Sequence, residues 1–131
     1  MVTDRGLDLR QTYLHFTEGH DIECLEVGPQ FWADLMSEKL RLTGRMVGCV
    51  RLSEGPLDHW ERHPKGDEFL MLLSGRCTIV LDEAAGRREV TLQAGEAFVV
   101  PKGVWHTFWT QEAGDLMFAT AGDGTDHRPV S

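Results

Sequence analysis

The stretch WERHPKGDEFLMLLSG, residues 60–75, concentrates groups that bind protons or metal ions. Glu61 and His63 are separated by one residue, and on a β-strand residues i and i+2 project from the same face. His59 shares that face. Pro64-Lys65-Gly66-Asp67 has the composition of a turn, which returns the chain so that Glu68 enters the same space from the next strand. Histidine and carboxylates brought together leave three uses open: metal ligation, proton transfer, or a hydrogen-bonded polar cluster in a ligand pocket. Two adjacent carboxylates with no cation between them repel, so a bare site is expected to take up a proton on one of them.

Such groups need strands to aim them, and the sequence turns to strand patterning from about residue 45. RMVGCVRLS places Met46, Val50 and Leu52 on one face and ends at Glu54-Gly55-Pro56. FLMLLSG is a continuous apolar run closed by Gly75. CTIVLDE leads into a hairpin turn at 84–87, and REVTLQAG follows, closed by Gly95. AFVVPKG ends at Pro101 and Gly103, WHTFWT alternates strongly, and LMFATAG is the last clear strand. Short strands with a turn signal every ~8–12 residues predict an all-β sandwich or barrel. Ahead of them, Ile22–Val27 reads as a short strand ended by Gly28-Pro29. FWADLMSEKL, 31–40, sets Phe31, Leu35 and Leu40 near one helical face, which predicts a short amphipathic helix over an end or edge of the sheet. The chain is therefore expected to be one domain, 1–131, with an N-terminal extension 1–45, a barrel of about 46–121, and a loose polar tail 122–131.

Phase assigns further residues. Leu70 and Leu72 follow Glu68 on its face, and Phe108 follows His106, so all three are expected as pocket wall or plain barrel core. Trp60, Trp105 and Trp109 fall on the opposite face, where exposed tryptophans would mark an interface; this predicts a homodimer. His15, His20 and His127 have no partners near them in sequence and read as surface or structural.

The net charge of −8 and pI near 5.1 give no basic footprint, which argues against nucleic acid and against an anionic membrane surface as partners. No apolar run approaches the ~18 residues of a membrane span. The N-terminus, MVTDRGLDLRQ, has no apolar leader segment. The three cysteines, Cys24, Cys49 and Cys77, include no CxxC and read as small buried hydrophobes in a reducing compartment. A cytoplasmic location is expected. There is no G-x-S-x-G, P-loop or G-x-G-x-x-G, so neither a serine nucleophile nor a nucleotide cofactor is indicated.

The spacing of the polar and glycine residues resembles the cupin family. Its first motif is matched by Gly55, five residues, Glu61-Arg62-His63, four residues, Glu68, six residues, and Gly75. Its second is matched by Gly95, five residues, Pro101-Lys102-Gly103, two residues, His106, three residues, and Thr110. Two positions depart from the pattern: Glu61 stands where the family has the first histidine of a pair, and Thr110 where it has asparagine. The resemblance implies a double-stranded β-helix, the jelly-roll cupin barrel, and a metal-binding role for Glu61, His63, Glu68 and His106. His63, Glu68 and His106 form a two-histidine, one-carboxylate set that suits Fe(II); Glu61 adds a second carboxylate and shifts the set towards Mn or Fe rather than Cu, with Zn and Ni also open. His59 is a spare ligand. The expected function is binding of one divalent transition metal and action on a small organic molecule, as an oxygenase or isomerase. The alternative is a non-catalytic small-molecule binding or sensing module whose metal site is degenerate or empty.

Overall fold

Alternation of buried and exposed residues builds two antiparallel sheets, seen in a computed structural model that describes residues 5–130. Residues 1–4 and 131, the ends of the expected single domain, lie outside the described residues. The strands are β1 (Thr12–Phe16), β2 (Ile22–Glu26), β3 (Arg45–Leu52), β4 (Gly55–Pro56), β5 (His59–Arg62), β6 (Glu68–Leu72), β7 (Arg76–Glu83), β8 (Gly86–Gln93), β9 (Ala97–Val100), β10 (Trp105–Glu112), β11 (Gly114–Ala121) and β12 (Asp126–Pro129). One sheet runs β2-β1-β3-β11-β6-β9; the other runs β12-β5-β10-β7-β8, with β4 also paired to β10. This is the expected jelly-roll barrel, nearly all β.

The inward phases of both sheets meet in one core. Leu70, Leu72, Leu116 and Phe118 from the first sheet pack with Ile79, Leu81, Leu92 and Phe108 from the second. Burial of these aliphatic and aromatic side chains, worth roughly 1.5–3 kcal/mol each, is the main term holding the sheets face to face. Cys77 is wholly buried in the same cluster and Cys49 is buried outside it, both as small hydrophobes, whereas Cys24 is only partly buried, contrary to expectation. Burial pushes the Cys77 thiol up to about 11.

Several elements differ from expectation, among them β1, which falls where the sequence marks no strand. The helix α1 covers Phe31–Met36 only, rather than 31–40. It stops because Glu38 adopts a left-handed backbone, φ 65°, and the chain folds back with Leu40 N–H donating to the Asp34 carbonyl. Its one fully buried side chain, Phe31, meets Tyr13 of β1 edge-on at 5.5 Å, so the helix does lie over the sheet. The strand at 22 ends at Glu26, one residue early. Residues 126–129, expected in a loose tail, instead form β12, paired in register with β5. Ion pairs fix that strand: Arg62 to Asp126 at 2.8 Å and Arg128 to Asp82 at 2.8 Å.

The tryptophans also need correction. Trp60 and Trp105 do leave the core side of their strands, but they present no open aromatic face. Arg128 lies over both rings, at 5.3 and 4.5 Å, with Arg87 over Trp60 and Arg62 over Trp105. Trp60 is 3% exposed; Trp109, at 51%, is the one of the three left open. His15 is structural as expected: its Nδ1–H donates to Glu23 at 2.9 Å, and its Nε2 accepts the Gly44 N–H at 2.9 Å. No helix among the described residues is long and apolar enough to cross a membrane.

Candidate metal centre

Glu61 lies on β5, His63 just beyond that strand, Glu68 at the first position of β6 and His106 on β10. Two turns bring these strands together. The backbone N–H of Gly103, in the Pro101-Lys102-Gly103 turn before β10, donates to the His63 carbonyl at 3.1 Å. The Lys102 N–H donates to the Asp67 carboxylate, in the turn before Glu68, at 2.8 Å. Gly103 has φ 78°, a conformation glycine adopts without cost, so the second turn can press against the first. The two turns are thus hydrogen-bonded to each other, and His63, Glu68 and His106 follow from them.

Cross-strand register does the rest. Glu61 sits directly opposite His106 on β10 and directly opposite His127 on β12. Residues paired across antiparallel strands share a face, so the three side chains line up on one side of the sheet.

The four expected residues converge. His106 Nε2 is 2.9 Å from Glu68 Oε1, and His63 Nε2 is 3.1 Å from Glu68 Oε2. Glu61 Oε1 lies 3.7 Å from His106 Nε2 and 3.8 Å from His63 Nε2. One ligand atom from each residue falls within 4.8 Å of the others. His63, Glu68 and His106 are buried, and Glu61 is the partly open member.

The tautomers are decided by the outer partners. His106 Nδ1 faces the Val104 carbonyl at 3.1 Å, and a carbonyl only accepts, so Nδ1 carries the proton. The neutral ring then aims the lone pair of Nε2 at a carboxylate, an arrangement that needs a positive charge between them. His63 Nδ1 is held by Thr125 Oγ1 at 2.9 Å. Its buried Nε2 has no hydrogen-bond partner, although Glu68 is close; the approach is off the bonding direction. A buried nitrogen with no hydrogen bond, beside two carboxylates, has the surroundings that suit a cation ligand. The donor set therefore fits a divalent transition metal.

Protons can supply the positive charge instead. Burial alone would lower the His106 imidazolium pKa, but the Glu61 and Glu68 carboxylates outweigh it and push it up to about 10. Burial would likewise raise both carboxyls; His106 and His127 on Glu61, and His106 and His63 on Glu68, overcome it and hold them below the usual carboxylate range. The expectation that a bare site protonates a carboxylate is thus not met, because the imidazole is the better base and lies within reach.

A cavity of about 540 Å³ opens over the centre, with Glu61, His63 and Glu68 in its lining. Leu70 and Phe108 form part of its wall as expected, together with Trp32, Met46, Leu57 and Phe118; Leu72 is core only. His59 and His127 stand at the polar side of this cavity. His59 Nε2 is 4.0 Å and His127 Nε2 3.6 Å from Glu61 Oε2. His127, read from sequence as surface or structural, is the residue that reasoning missed. The signal was faint: Asp126-His127-Arg128-Pro129 carries three polar residues in a row and no alternation that marks a face.

A family model described as a cupin domain matches residues 48–122. Among solved structures, a cupin-2 domain protein from Shewanella frigidimarina is 28% identical over 63% of this chain and 74% of its own, with a TM-score of 0.51. A protein from Neisseria meningitidis is 26% identical over 63% of this chain and 79% of its own, with the same TM-score of 0.51. Bacillus subtilis oxalate decarboxylase, a protein with Mn(II) centres, shares the fold at 17% identity, over 68% of this chain and 24% of its own, with a TM-score of 0.57. No curated protein matches the sequence. The match covers more than half of the chain, and both of its glycine-framed motifs lie at the turns that aim the polar cluster: the chain belongs to the cupin family.

Proposed function

We propose that this cupin binds a divalent transition metal through Glu61, His63, Glu68 and His106 and acts on a small organic molecule held in the adjoining cavity. The observation that carries the reading is the buried Nε2 of His63, which has no hydrogen bond and faces two carboxylates. Fe, Mn, Zn and Ni all suit the ligand set, and the two carboxylates favour Mn or Fe over Cu. Bound there, such an ion supplies Lewis-acid polarisation of an oxygen donor on the substrate or, for a redox metal, electron transfer. Related folds support this use: oxalate decarboxylase with Mn(II), and a structure of HppE with Fe(II) and substrate.

The chain's own groups support a substrate class. The walls at Met46, Leu57, Phe108 and Phe118 exclude water from an apolar portion, while the polar group of the ligand meets the glutamates and histidines on one side. Glu61, partly open to the cavity, is placed to accept a hydrogen bond from a hydroxyl of that ligand. A small carboxylated or hydroxylated molecule with an apolar body fits both features, in an isomerase or oxygenase reaction. Location in the cytoplasm as a homodimer is part of the proposal, with exposed Trp109 as the remaining support for an interface; a monomer mass by light scattering at micromolar concentration would remove the dimer.

The second reading, a non-catalytic sensing module, is favoured by one feature. Glu61 and Glu68 favour the protonated forms of His106 and His127 beside them, which lets the cluster balance its charge without any metal. Elemental analysis of protein purified without chelator separates the two. Near-stoichiometric metal, lost in His106→Ala, supports the first reading. No metal, unrestored by Fe(II), Mn(II), Ni(II) or Zn(II), sinks it.

A further inference from the structure

We propose that Glu61 is a bridging carboxylate between two divalent ions, the second held by His59 and His127 at the mouth of the cavity. The inference rests on metal binding at His63, Glu68 and His106. It adds a second ion position and assigns a purpose to the glutamate that replaces the family's histidine.

Each oxygen of Glu61 has its own pair of imidazoles. Oε1 faces His106 Nε2 and His63 Nε2 at 3.7 and 3.8 Å. Oε2 faces His127 Nε2 and His59 Nε2 at 3.6 and 4.0 Å. All four separations exceed a hydrogen bond. They are close to what a shared ion imposes: two ligand atoms each about 2.1 Å from a metal, at a tetrahedral angle, lie ~3.4 Å apart. The outer trio satisfies the same closeness as the inner one, with its ligand atoms within 4.8 Å of one another.

The outer pair is also oriented. His59 Nδ1 is 2.8 Å from the Asp58 carboxylate, which fixes the proton on Nδ1 and leaves Nε2 as the lone-pair atom. That carboxylate–imidazole arrangement is the usual support behind a metal-bound histidine. His127 is held by register opposite Glu61, on a strand pinned on either side by the Arg62–Asp126 and Arg128–Asp82 pairs. The two rings are tilted at 56° with centroids 5.3 Å apart, a separation that two imidazoles sharing one ion through their Nε2 atoms can adopt. A histidine at position 61 presents one free lone pair to one ion, because its second nitrogen points away. A carboxylate presents two oxygens, and bridged ions then sit about 3.5–4 Å apart, the spacing of two-metal hydrolytic and transfer centres. Two imidazoles with one carboxylate oxygen select Zn, Fe, Mn or Co over Mg or Ca.

The test is metal counting with Mn(II) on the intact chain. After chelation and equilibrium dialysis, wild-type protein is expected to hold two ions per chain, and the double variant His59→Asn, His127→Asn one. Both histidines lie at the partly open mouth, and unchanged thermal unfolding of the metal-free variant serves as the folding control. In parallel, the electron paramagnetic resonance spectrum of the two-ion wild type is expected to show exchange coupling, absent at one equivalent; this arm needs no variant. One ion in the wild type overturns the bridge and leaves the inner site standing. A second ion retained by the double variant, or two ions with an isolated six-line spectrum, overturns it as well. No ion at all overturns both the bridge and the metal-binding reading.

Discussion

At His63 a side chain outside the proposed ligand set holds a member of it in place. Thr125 Oγ1 is the partner of its Nδ1 at 2.9 Å and so decides which ring nitrogen faces the carboxylates. Thr125→Val keeps the shape and removes that partner. The expected result is metal affinity lower by about 10–100-fold, with unfolding of the metal-free protein little changed. Competition with a chelating dye measures it; equal affinity in the two proteins would mean that Thr125 does not orient the ring. Gly75 is a different case. It has φ 83°, and a Cβ there would run into the backbone carbonyls of Glu112 and Ala113. Gly75→Ala is therefore expected to destabilise the fold by about 1–3 kcal/mol in urea unfolding. These residues were unequally legible. Glu61, His63, Glu68 and His106 stand out because the strand period and two glycine turns fix their directions within short stretches. His127 and Thr125 do not, since the first lies on β12 and the second just before it. That strand has no apolar face, and its register depends on ion pairs to Arg62 and Asp82, distant in sequence.

Among the elements, the interlocked turns connect sequence to site. Asp67 accepts the Lys102 N–H, and its own carbonyl accepts from the Arg45 guanidinium at 2.7 Å. Asp67→Ala leaves the carbonyl in place and removes the carboxylate. The expected loss of stability is about 1 kcal/mol, as for one hydrogen bond, but the loss of metal affinity should exceed it. The reason is that the freed turn carries His106 away from Glu68, a positional effect on the ligand set. Parallel urea unfolding and metal titration decide it; a stability loss with affinity unchanged would show that the turns hold the fold without aiming the ligands. Strands β6 to β11 were readable because each is bounded by Gly75, Gly95, Pro101 or a hairpin, which are local chemical stops. β4 and β12 are short and polar, and their pairing with β10 and β5 comes from tertiary neighbours rather than from their own composition. The helix at Phe31 was read too long because Leu35 and Leu40 continue the apolar period, whereas the backbone reversal at Glu38 interrupts it.

On the scale of the whole molecule, the buried cluster makes the stability of the metal-free protein and the increment expected from a metal ion depend on pH in opposite senses. In the unfolded chain carboxyls titrate near 4.5 and imidazoles near 6.5. Folding lowers Glu61 and Glu68, so their contribution is complete above 4.5 and is lost as pH falls through their lower folded values. Folding raises His106 to about 10, so its contribution is complete below 6.5 and is lost as pH rises towards 10. Metal-free protein should therefore be most stable between about pH 4.5 and 6.5, with a melting temperature that declines from 6.5 to 10. A metal ion needs the neutral His106 that the metal-free protein resists forming, so binding releases a proton and tightens as pH rises. Stabilisation by a saturating ligand follows RT ln(1 + [L]/Kd), so the increment from a fixed excess of Mn(II) should grow across the pH range in which the metal-free protein weakens. Thermal unfolding from pH 5.5 to 9.5, with Mn(II) or with chelator, measures both limbs. His106→Gln should reduce the decline of the metal-free limb, to which His127 also contributes, and remove the growth of the metal limb. An increment independent of pH in the wild type would mean that the ion and the proton do not compete for His106, and the ion would then have to bind elsewhere.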